Sequence, residues 1–267
     1  MMQPVPSFLA ARRNRSWALL EGFHPLKHAL RFGARVVRAV SPDPEKIFSL
    51  AEHLAPDILP WLKDHLEPMD PETFARQTPY PLPSPVLALA QRPFVDARTL
   101  LQEKERKAPL LLLEHPSHLG NIGAAIRVAA AAGARGVVVT GPQDPWHPAA
   151  LRGGAGLQFA LPVASWEGSL PPSEGPLWAL HPEGESLADL AIPSDAILIF
   201  GSERRGLTQD LLQRADRKVA IPMEPGVSSL NLATAVAVVL YAWKLKLRPP
   251  SAPPPAPGSS FHPDRGF

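Results

Sequence analysis

The sequence predicts an α/β protein in which a parallel sheet forms the C-terminal part and a smaller α/β domain precedes it. Short apolar runs without alternation, such as "LLLL" at 110–113 and "ILIF" at 197–200, are typical of strands covered on both faces. Helices or segments of crossover length separate these runs, which is the connection that parallel strands require. With 45% hydrophobic residues, the chain can bury a core, and this excludes global disorder.

The smaller domain is expected over residues 1–95, where helix and strand patterns alternate. The segment 16–33 has apolar residues at helical spacing and ends at a glycine, so we predict a single helix there. Between and after it we predict two strands and two short helices that proline opens. The strands are predicted over 34–40 and 84–93, and the helices over 44–54 and 56–66.

The larger domain is expected over residues 108–248. A charged segment, 96–107, precedes it as a linker or connecting helix, and the tail 249–267 is too rich in Pro, Gly and Ser to pack, so we predict it to be disordered. The final helix should start at a serine cap and end in cations that suit its C-terminal dipole. Strands are predicted over 109–115, 136–141, 176–180, 196–203 and 218–223. One helix is predicted to begin at Asn121 and to stop at Gly133, and two more are predicted over 207–215 and 229–247.

Charge is distributed unevenly along the chain. The net charge is only +2, but residues 1–40 contain seven Lys/Arg against a single acid, Glu21. A basic N-terminal segment, followed by a remainder of the chain that is nearly neutral, indicates a polyanion partner such as nucleic acid. A solvated amphipathic helix has the same composition. The charge pattern alone leaves both interpretations open.

The chain has no cysteine, which excludes disulfides, thiolate metal sites and cysteine nucleophiles. This composition fits a cytoplasmic protein. No apolar run approaches the length that a bilayer requires, and the N-terminus lacks a signal-peptide pattern, so no membrane association is expected.

Polar residues follow several of the predicted strands. Because the carboxyl ends of parallel strands meet at one edge of a sheet, these residues are expected to converge on one site. Each also has a structural explanation, since Asn and Ser cap helices, Gly makes turns and the apolar stem of Arg packs on a surface. The residues concerned are Asn121, Arg127, Gly141, Glu203, Ser228, Ser229 and Asn231.

Three rival sites have little support. His115 and His118 lack an apparent third ligand, so no metal is expected. The glycines of 152–158 match neither a Walker loop nor the glycine fingerprint of a nucleotide-dependent oxidoreductase, and we interpret them as a flexible loop that can approach a ligand closely. The segment "GSERRG" has no serine at the centre of a G-x-S-x-G elbow, so a serine hydrolase is not indicated.

Three segments in order, "GNIGAAIRVAAAAG", "LIFGSERRGL" and "IPMEPGVSSLNLATAVAVVLYAW", resemble the motifs of the SpoU/TrmH family of RNA ribose 2′-O-methyltransferases, in the SPOUT superfamily. The resemblance covers about residues 108–247 and implies a sheet with a C-terminal trefoil knot. Val128 departs from the pattern, because many members have Thr there. The segment from 21 to 93 more loosely resembles the L30e/L7Ae-like RNA-binding domain that precedes the catalytic domain in many members.

The resemblance implies methylation of a ribose 2′-hydroxyl in tRNA or rRNA with S-adenosylmethionine as the cofactor. It also implies a homodimer formed through the last helix. An inactive RNA-binding module of the same fold is the alternative, against which the intact motif residues argue. The implied catalytic residues are Asn121, Arg127, Glu203, Ser229 and Asn231, and the implied cofactor-binding residues are Gly141, Gly201, Ile221, Met223, Ser229 and Leu230.

Arg127 is the unusual residue of the first motif, because it interrupts a small and apolar helical run. The family resemblance offers it as a general base, but a guanidinium keeps its proton up to about pH 12. The more economical expectation is that Arg127 binds a neighbouring phosphate and stabilises the developing oxyanion, with Asn121 fixing its geometry. A purely structural pair with Glu203 is the third possibility.

Overall fold

The structure, a computed structural model, describes residues 5–246. The predicted disordered tail, 249–267, lies outside the described residues. In the described part of the chain, no helix is both long enough and apolar enough to cross a membrane.

The N-terminal part contains a four-stranded sheet in the order β1-β4-β2-β3. β4 pairs antiparallel with both β1 and β2, while β3 is parallel to β2. Its strands are β1 (Trp17–Glu21), β2 (Val36–Ser41), β3 (Leu66–Pro68) and β4 (Leu87–Gln91). Its helices are α1 (Phe8–Ala11), α2 (Phe23–Arg31), α3 (Pro44–Leu54), α4 (Leu59–His65) and α5 (Pro71–Ala75), with a 3₁₀ turn at Pro56–Ile58.

The prediction of one helix over 16–33 is wrong in its first part. The residues of β1 are all buried, as in a strand covered on both faces, and Gly22 follows with a φ of 96°, which an α-helix does not contain. The helical periodicity belongs to α2 alone. The first proline-opened helix is confirmed as α3, and the Asp43 side chain caps it by accepting the Lys46 N–H at 3.1 Å. The second is confirmed only in part, because a 3₁₀ turn at Pro56–Ile58 precedes α4 and Leu66 belongs to β3.

The C-terminal part contains the predicted parallel sheet, with six strands in the order β10-β8-β9-β5-β6-β7. The strands are β5 (Leu110–Leu113), β6 (Gly136–Thr140), β7 (Val163–Trp166), β8 (Leu177–Ser186), β9 (Ile197–Phe200) and β10 (Arg217–Ala220). The helices are α6 (Ala97–Leu101), α7 (Leu119–Ala132), α8 (Pro148–Gly153), α9 (Gln209–Arg214) and α10 (Leu232–Lys246). Shorter 3₁₀ turns lie at Leu157–Ala160 and Leu187–Asp189.

The segment 96–107 packs against the larger sheet. Leu100 and Leu101 of α6 are buried among side chains of that sheet. Arg106 is only 4% exposed, and its guanidinium donates hydrogen bonds to the carbonyls of Glu103 and Asp195, among others. These contacts attach the segment to the C-terminal sheet along its length.

The glycine-rich segment 152–158 is packed, and its interpretation as a flexible loop is wrong. A Cβ on Gly123 of α7 would lie 2.1 Å from the Ala150 carbonyl oxygen, so α7 and α8 touch through their backbones. Gln158 is fully buried and donates to the same Ala150 carbonyl at 2.9 Å. The glycines therefore permit a close helix–helix contact.

The two sheets share one continuous core. One cluster of buried apolar side chains runs from Leu20 and Leu26 in the N-terminal part to Leu151 and Trp243 in the C-terminal part. The junction also has a polar centre, where the buried Glu21 carboxylate accepts hydrogen bonds from three groups. These donors are the guanidinium groups of Arg12 and Arg152 and, at 2.5 Å, the Tyr80 hydroxyl.

Candidate active site

Three loops meet at the carboxyl edge of the parallel sheet. They follow β5, β9 and β10 and cover residues 114–118, 201–208 and 221–231. The order of the strands explains the meeting of the first two loops, because β5 and β9 are direct neighbours. The third loop lies near the other two because the helix that follows it, α10, packs against α7.

A chain of hydrogen bonds joins these loops. The Glu203 carboxylate accepts the Asn121 side-chain amide at 2.7 Å and the Ser117 backbone N–H at 2.9 Å. Asn121 in turn accepts the Asn231 side-chain amide at 3.0 Å. The structure thus brings together three of the residues that the sequence singled out, one from each motif.

Asn231 has a second function in the fold, as the cap of α10. Its side-chain oxygen accepts the Ala233 N–H at 2.9 Å, and its backbone carbonyl accepts the Ala235 N–H at 2.8 Å. The expected serine cap is therefore wrong, and the helix begins at Leu232, after Asn231. Asn competes well with Ser at this position because its short side chain reaches the same free N–H groups.

The surroundings of Glu203 favour its charged form. Burial raises the pKa of this carboxyl, but the hydrogen bonds from Asn121 and Ser117 outweigh burial, and the pKa is lowered from its ordinary value. An amide side chain in its place would present an NH₂ group to one of these two donors. The negative charge therefore contributes to holding the loops together.

This lowered pKa predicts a pH-dependent stability. A carboxyl with a lowered folded-state pKa stabilises the fold above its unfolded value, about 4.5, and loses that contribution as the pH falls through the folded pKa. We expect Glu203→Gln to melt below wild type at neutral pH, with the difference narrowing below about pH 4. Thermal melts over a pH series measure it, with the exposed Glu52→Gln as the control. A difference that stays constant into acid would contradict the prediction.

A cleft of about 520 Å³ opens between the first two loops. His115 and Ser117 line one side, and Arg204 and Arg205 line the other. At its base Glu114, which is 5% exposed, accepts the backbone N–H and the hydroxyl of Thr208 at 2.8 and 2.7 Å. Glu114 thus joins the second motif to β5, and the two arginines of the rim above it attract anions.

Arg127 is exposed, and it makes no hydrogen bond or ion pair with any residue in 5–246. Glu203 does not pair with it, so the structural pair considered above is wrong. Asn121 does not hold it either, since six residues of helix separate the two side chains by about 120° around the helix and by about 9 Å along it. Its charge acts instead on His24 and Lys27 of α2.

The remaining predicted residues lie around the network. Gly201 makes the tight start of its loop, where a Cβ would lie 2.3 Å from the Gly206 backbone. Gly141 faces His115, because a Cβ there would lie 2.6 Å from the His115 Nδ1. Ile221, Met223, Ser229 and Leu230 occupy the third loop, in which Ile221 packs on the core and the last two are exposed.

Sequence reasoning missed three residues of the site: Ser117, Glu114 and Thr208. Ser117 acts through its backbone N–H, which leaves no trace in residue type. Glu114 and Thr208 did leave a signal. Glu114 is an acid directly after a wholly apolar strand, and Thr208 is an N-cap residue at the start of α9. No cluster of three or more potential metal ligands occurs among residues 5–246.

Known proteins resemble the chain in sequence and fold. It is 38% identical over 143 residues to an uncharacterized tRNA/rRNA methyltransferase of Synechocystis sp., which covers 49% of this chain and 51% of that protein. It is 27% identical over 243 residues to the 23S rRNA (guanosine(2553)-2'-O)-methyltransferase RlmP of Bacillus subtilis, covering 86% and 89%. The chain thus spans about half the length of the Synechocystis relative.

Among solved structures, the fold resembles that of the SpoU methyltransferase AviRb from Streptomyces viridochromogenes in complex with the cofactor AdoMet. The TM-score is 0.71 at 23% identity, with 90% of this chain and 96% of that chain covered. The model of the SpoU rRNA Methylase family matches residues 108–241, which include β5 to β10, the three loops and most of α10. On this match the chain belongs to the SpoU rRNA methylase family.

Proposed function

We propose that the chain transfers a methyl group from S-adenosylmethionine to a ribose 2′-hydroxyl of tRNA or rRNA. The network of Glu203, Asn121 and Asn231 carries the proposal, because it joins all three motif loops at one edge of the sheet. The similarity to a 2′-O-methyltransferase of 23S rRNA and to a fold crystallised with AdoMet supports it.

The third loop fits a nucleoside cofactor. Within the described residues, Val227 has the only backbone N–H of 222–231 that donates a hydrogen bond, to the Glu224 carbonyl at 3.1 Å. Other backbone groups of this loop are free to recognise an adenosine edge. We assign its binding to Gly201, Ile221, Met223, Ser229 and Leu230, with Gly141 shaping the neighbouring turn. When bound, S-adenosylmethionine supplies a methyl group on a positively charged sulfur.

The protein's own task is to hold the ribose and to stabilise the charge that grows on its oxygen. The 2′-hydroxyl releases its proton to solvent while its oxygen bonds to the methyl carbon and the methyl–sulfur bond breaks, so negative charge develops on the oxygen. We assign its stabilisation to Arg127, whose guanidinium is exposed and unpaired within the described chain. Asn121, Glu203 and Asn231 position the loops, and Ser229 lies beside them in sequence.

We further propose that the C-terminal part forms a trefoil knot and that the N-terminal part is an L30e/L7Ae-like RNA-binding domain. The position of β9 between β8 and β5, and the return of α10 onto α7, support the knot. The four-stranded sheet with its flanking helices supports the second assignment. The proposed domain bounds are 1–95 and 108–248, joined by 96–107. The absence of cysteine and the RNA methyltransferase relatives favour a cytoplasmic location.

The function is tested by methylation itself. The purified chain is incubated with unmodified rRNA and tRNA transcripts and S-adenosylmethionine, and the digested RNA is analysed by mass spectrometry. New 2′-O-methylnucleosides are expected in one RNA class. Cofactor binding measured by calorimetry, with NAD as a control, then separates the alternatives. Binding without methylation of any RNA would favour the inactive RNA-binding module.

We also propose that the chain is a homodimer through α10. Val238, Tyr241 and Leu245 are exposed apolar residues, 38, 39 and 62% accessible, and their spacing places them on one face of the helix. Such a stripe on the last helix suits a second copy of the chain.

The dimer predicts a change of mass on substitution. Tyr241→Lys is expected to shift the chain from dimer to monomer, because it places a charge at the centre of the apolar stripe. Sedimentation velocity measures the mass. Leu54→Lys, at an exposed apolar position of α3, is the matched control and should leave the mass unchanged. A wild-type monomer, or a dimer that survives Tyr241→Lys, would contradict the proposed interface.

A further inference from the structure

Most of the basic N-terminal segment is neutralised within the protein. Four of its seven cations form ion pairs: Arg12 with Glu21, Arg15 with Glu167, Arg31 with Asp57 and Arg38 with Glu67. Lys27, by contrast, makes no hydrogen bond or ion pair within residues 5–246. The segment as a whole is therefore not a free cationic surface, whereas Lys27 has no acidic partner to which it is bonded in the described part of the chain.

The fold brings Lys27 towards Arg127. On α7, Arg127 lies one turn after Gly123 on the same face, and Gly123 contacts the backbone of Ala150 in α8. The chain that leaves α8 then meets α2, where the His28 Nδ1 lies 2.6 Å from the Ala155 carbonyl oxygen. Both α7 and α2 pack against the 3₁₀ turn at Leu157–Ala160, so Arg127 and Lys27 lie on two helices that flank the same segment.

The charges in this region repel one another. Burial lowers the pKa of Lys27 most, and the charges of Arg31 and Arg127 lower it further. Burial likewise lowers the pKa of His24, followed by the charges of Lys27 and Arg127. The neighbouring carboxylate, Asp57, is held by Arg31 through hydrogen bonds of 2.7 and 2.5 Å.

An anion bound between Lys27 and Arg127 would offset the repulsion of their charges. His24 is exposed, and its ring meets the edge of the Phe23 ring at 5.9 Å between centroids, so it is held in place and free to donate. Arginine, lysine and imidazole N–H groups are the donors that phosphate oxygens accept most strongly.

We propose that His24, Lys27 and Arg127 form one phosphate-binding groove between the two domains, which holds the RNA backbone at the nucleotide to be methylated. This inference rests on the proposed function, because it places the groove beside the residue assigned to the reacting oxygen. It assigns the RNA contact of the N-terminal domain to two residues of α2 and leaves its four paired arginines with structural roles.

The test compares RNA affinities over a series of salt concentrations. The probe is a fluorescently labelled oligouridylate, and anisotropy reports binding to the full chain. Each lost phosphate contact to single-stranded RNA lowers the slope of log affinity against log salt by about 0.7. Lys27→Ala is expected to weaken binding and to lower the slope by this amount, whereas Lys27→Arg should restore both. Lys63→Ala, which removes an exposed cation from α4, should change neither.

A double-mutant cycle then asks whether the residues act together. If Lys27 and Arg127 hold one stretch of backbone, the loss of affinity in the double alanine variant should differ from the sum of the single losses. Wild-type affinity and slope in Lys27→Ala would overturn the groove. Calorimetry with S-adenosylmethionine keeps this result separate from the proposed function. A wild-type chain that fails to bind the cofactor contradicts the function, whatever the salt slopes show.

Discussion

Arg127→Ala is expected to abolish methyl transfer while leaving the affinity for S-adenosylmethionine near that of wild type. Removing one donor that stabilises a developing oxyanion typically costs about 10²–10³ in rate, and the lost phosphate contact adds to this. The side chain is exposed and without a hydrogen bond in 5–246, so the melting temperature should not change. Single-turnover rates with saturating RNA and cofactor provide the measurement.

Arg127→Lys separates the two catalytic possibilities. Lysine keeps the charge but loses the planar fork, and it releases its proton more readily when desolvated. An electrostatic clamp predicts weak activity with an unchanged pH profile, whereas a general base predicts activity with a profile shifted to lower pH. Arg76→Ala, at an exposed position of the N-terminal part, is the control. Near-wild-type turnover in Arg127→Ala would refute both roles.

Glu21→Ala is expected to produce the largest loss of stability. The Glu21 side chain is 0% exposed and bridges Arg12 and Arg152, so its removal leaves two partly buried cations facing each other. Breaking a buried ion pair on one side costs about 3–5 kcal/mol. In a chain of this size that corresponds to a fall of roughly 6 °C or more in the melting temperature, measured by calorimetry.

The matched control for Glu21→Ala is Glu67→Ala. Glu67 is 63% exposed and lies 3.8 Å from Arg38, and such a surface pair contributes at most about 1 kcal/mol. The two variants remove the same charge from the same domain and differ only in burial. Equal melting temperatures for the pair would show that the buried cluster does not stabilise the junction.

The parallel sheet was predictable because its central strands are covered on both faces. Such strands consist of apolar residues without interruption, as in 110–113 and 197–200. They have no solvent-facing side, so no polar residues break the apolar pattern. The same burial misled the interpretation of 16–33. Buried on both faces, "WALLE" matches a helical pattern as well as a strand, and only the conformation of Gly22 separates β1 from α2. β3 is too brief for periodicity to reveal, and β7 lacks an uninterrupted apolar run because its second half is not buried.

The candidate site was predictable in its members but not in its connections. Asn121, Glu203 and Asn231 stood out as polar residues after apolar strands, and the structure joins them. Arg127 is separate from these residues because it projects from another side of α7, and its charge acts on α2 of the N-terminal part. No local pattern encodes the approach of α2, because it is set by a backbone contact at Gly156, where a Cβ would lie 2.4 Å from the Pro25 carbonyl oxygen, and by the side chain of His28.

The continuous core has a consequence for how the chain can be rearranged. A substrate-recognition unit that is tethered by a flexible linker can be exchanged for another like a cassette. Here, replacing the residues before 96 would remove apolar side chains from the core that contains Leu151. It would also remove Glu21, the carboxylate that pairs with Arg152. Any N-terminal unit grafted in its place would have to bring with it a surface that packs against α8. On the RNA contact proposed for α2, changing side chains of this helix is therefore a more accessible route to a different RNA specificity than replacing the N-terminal half.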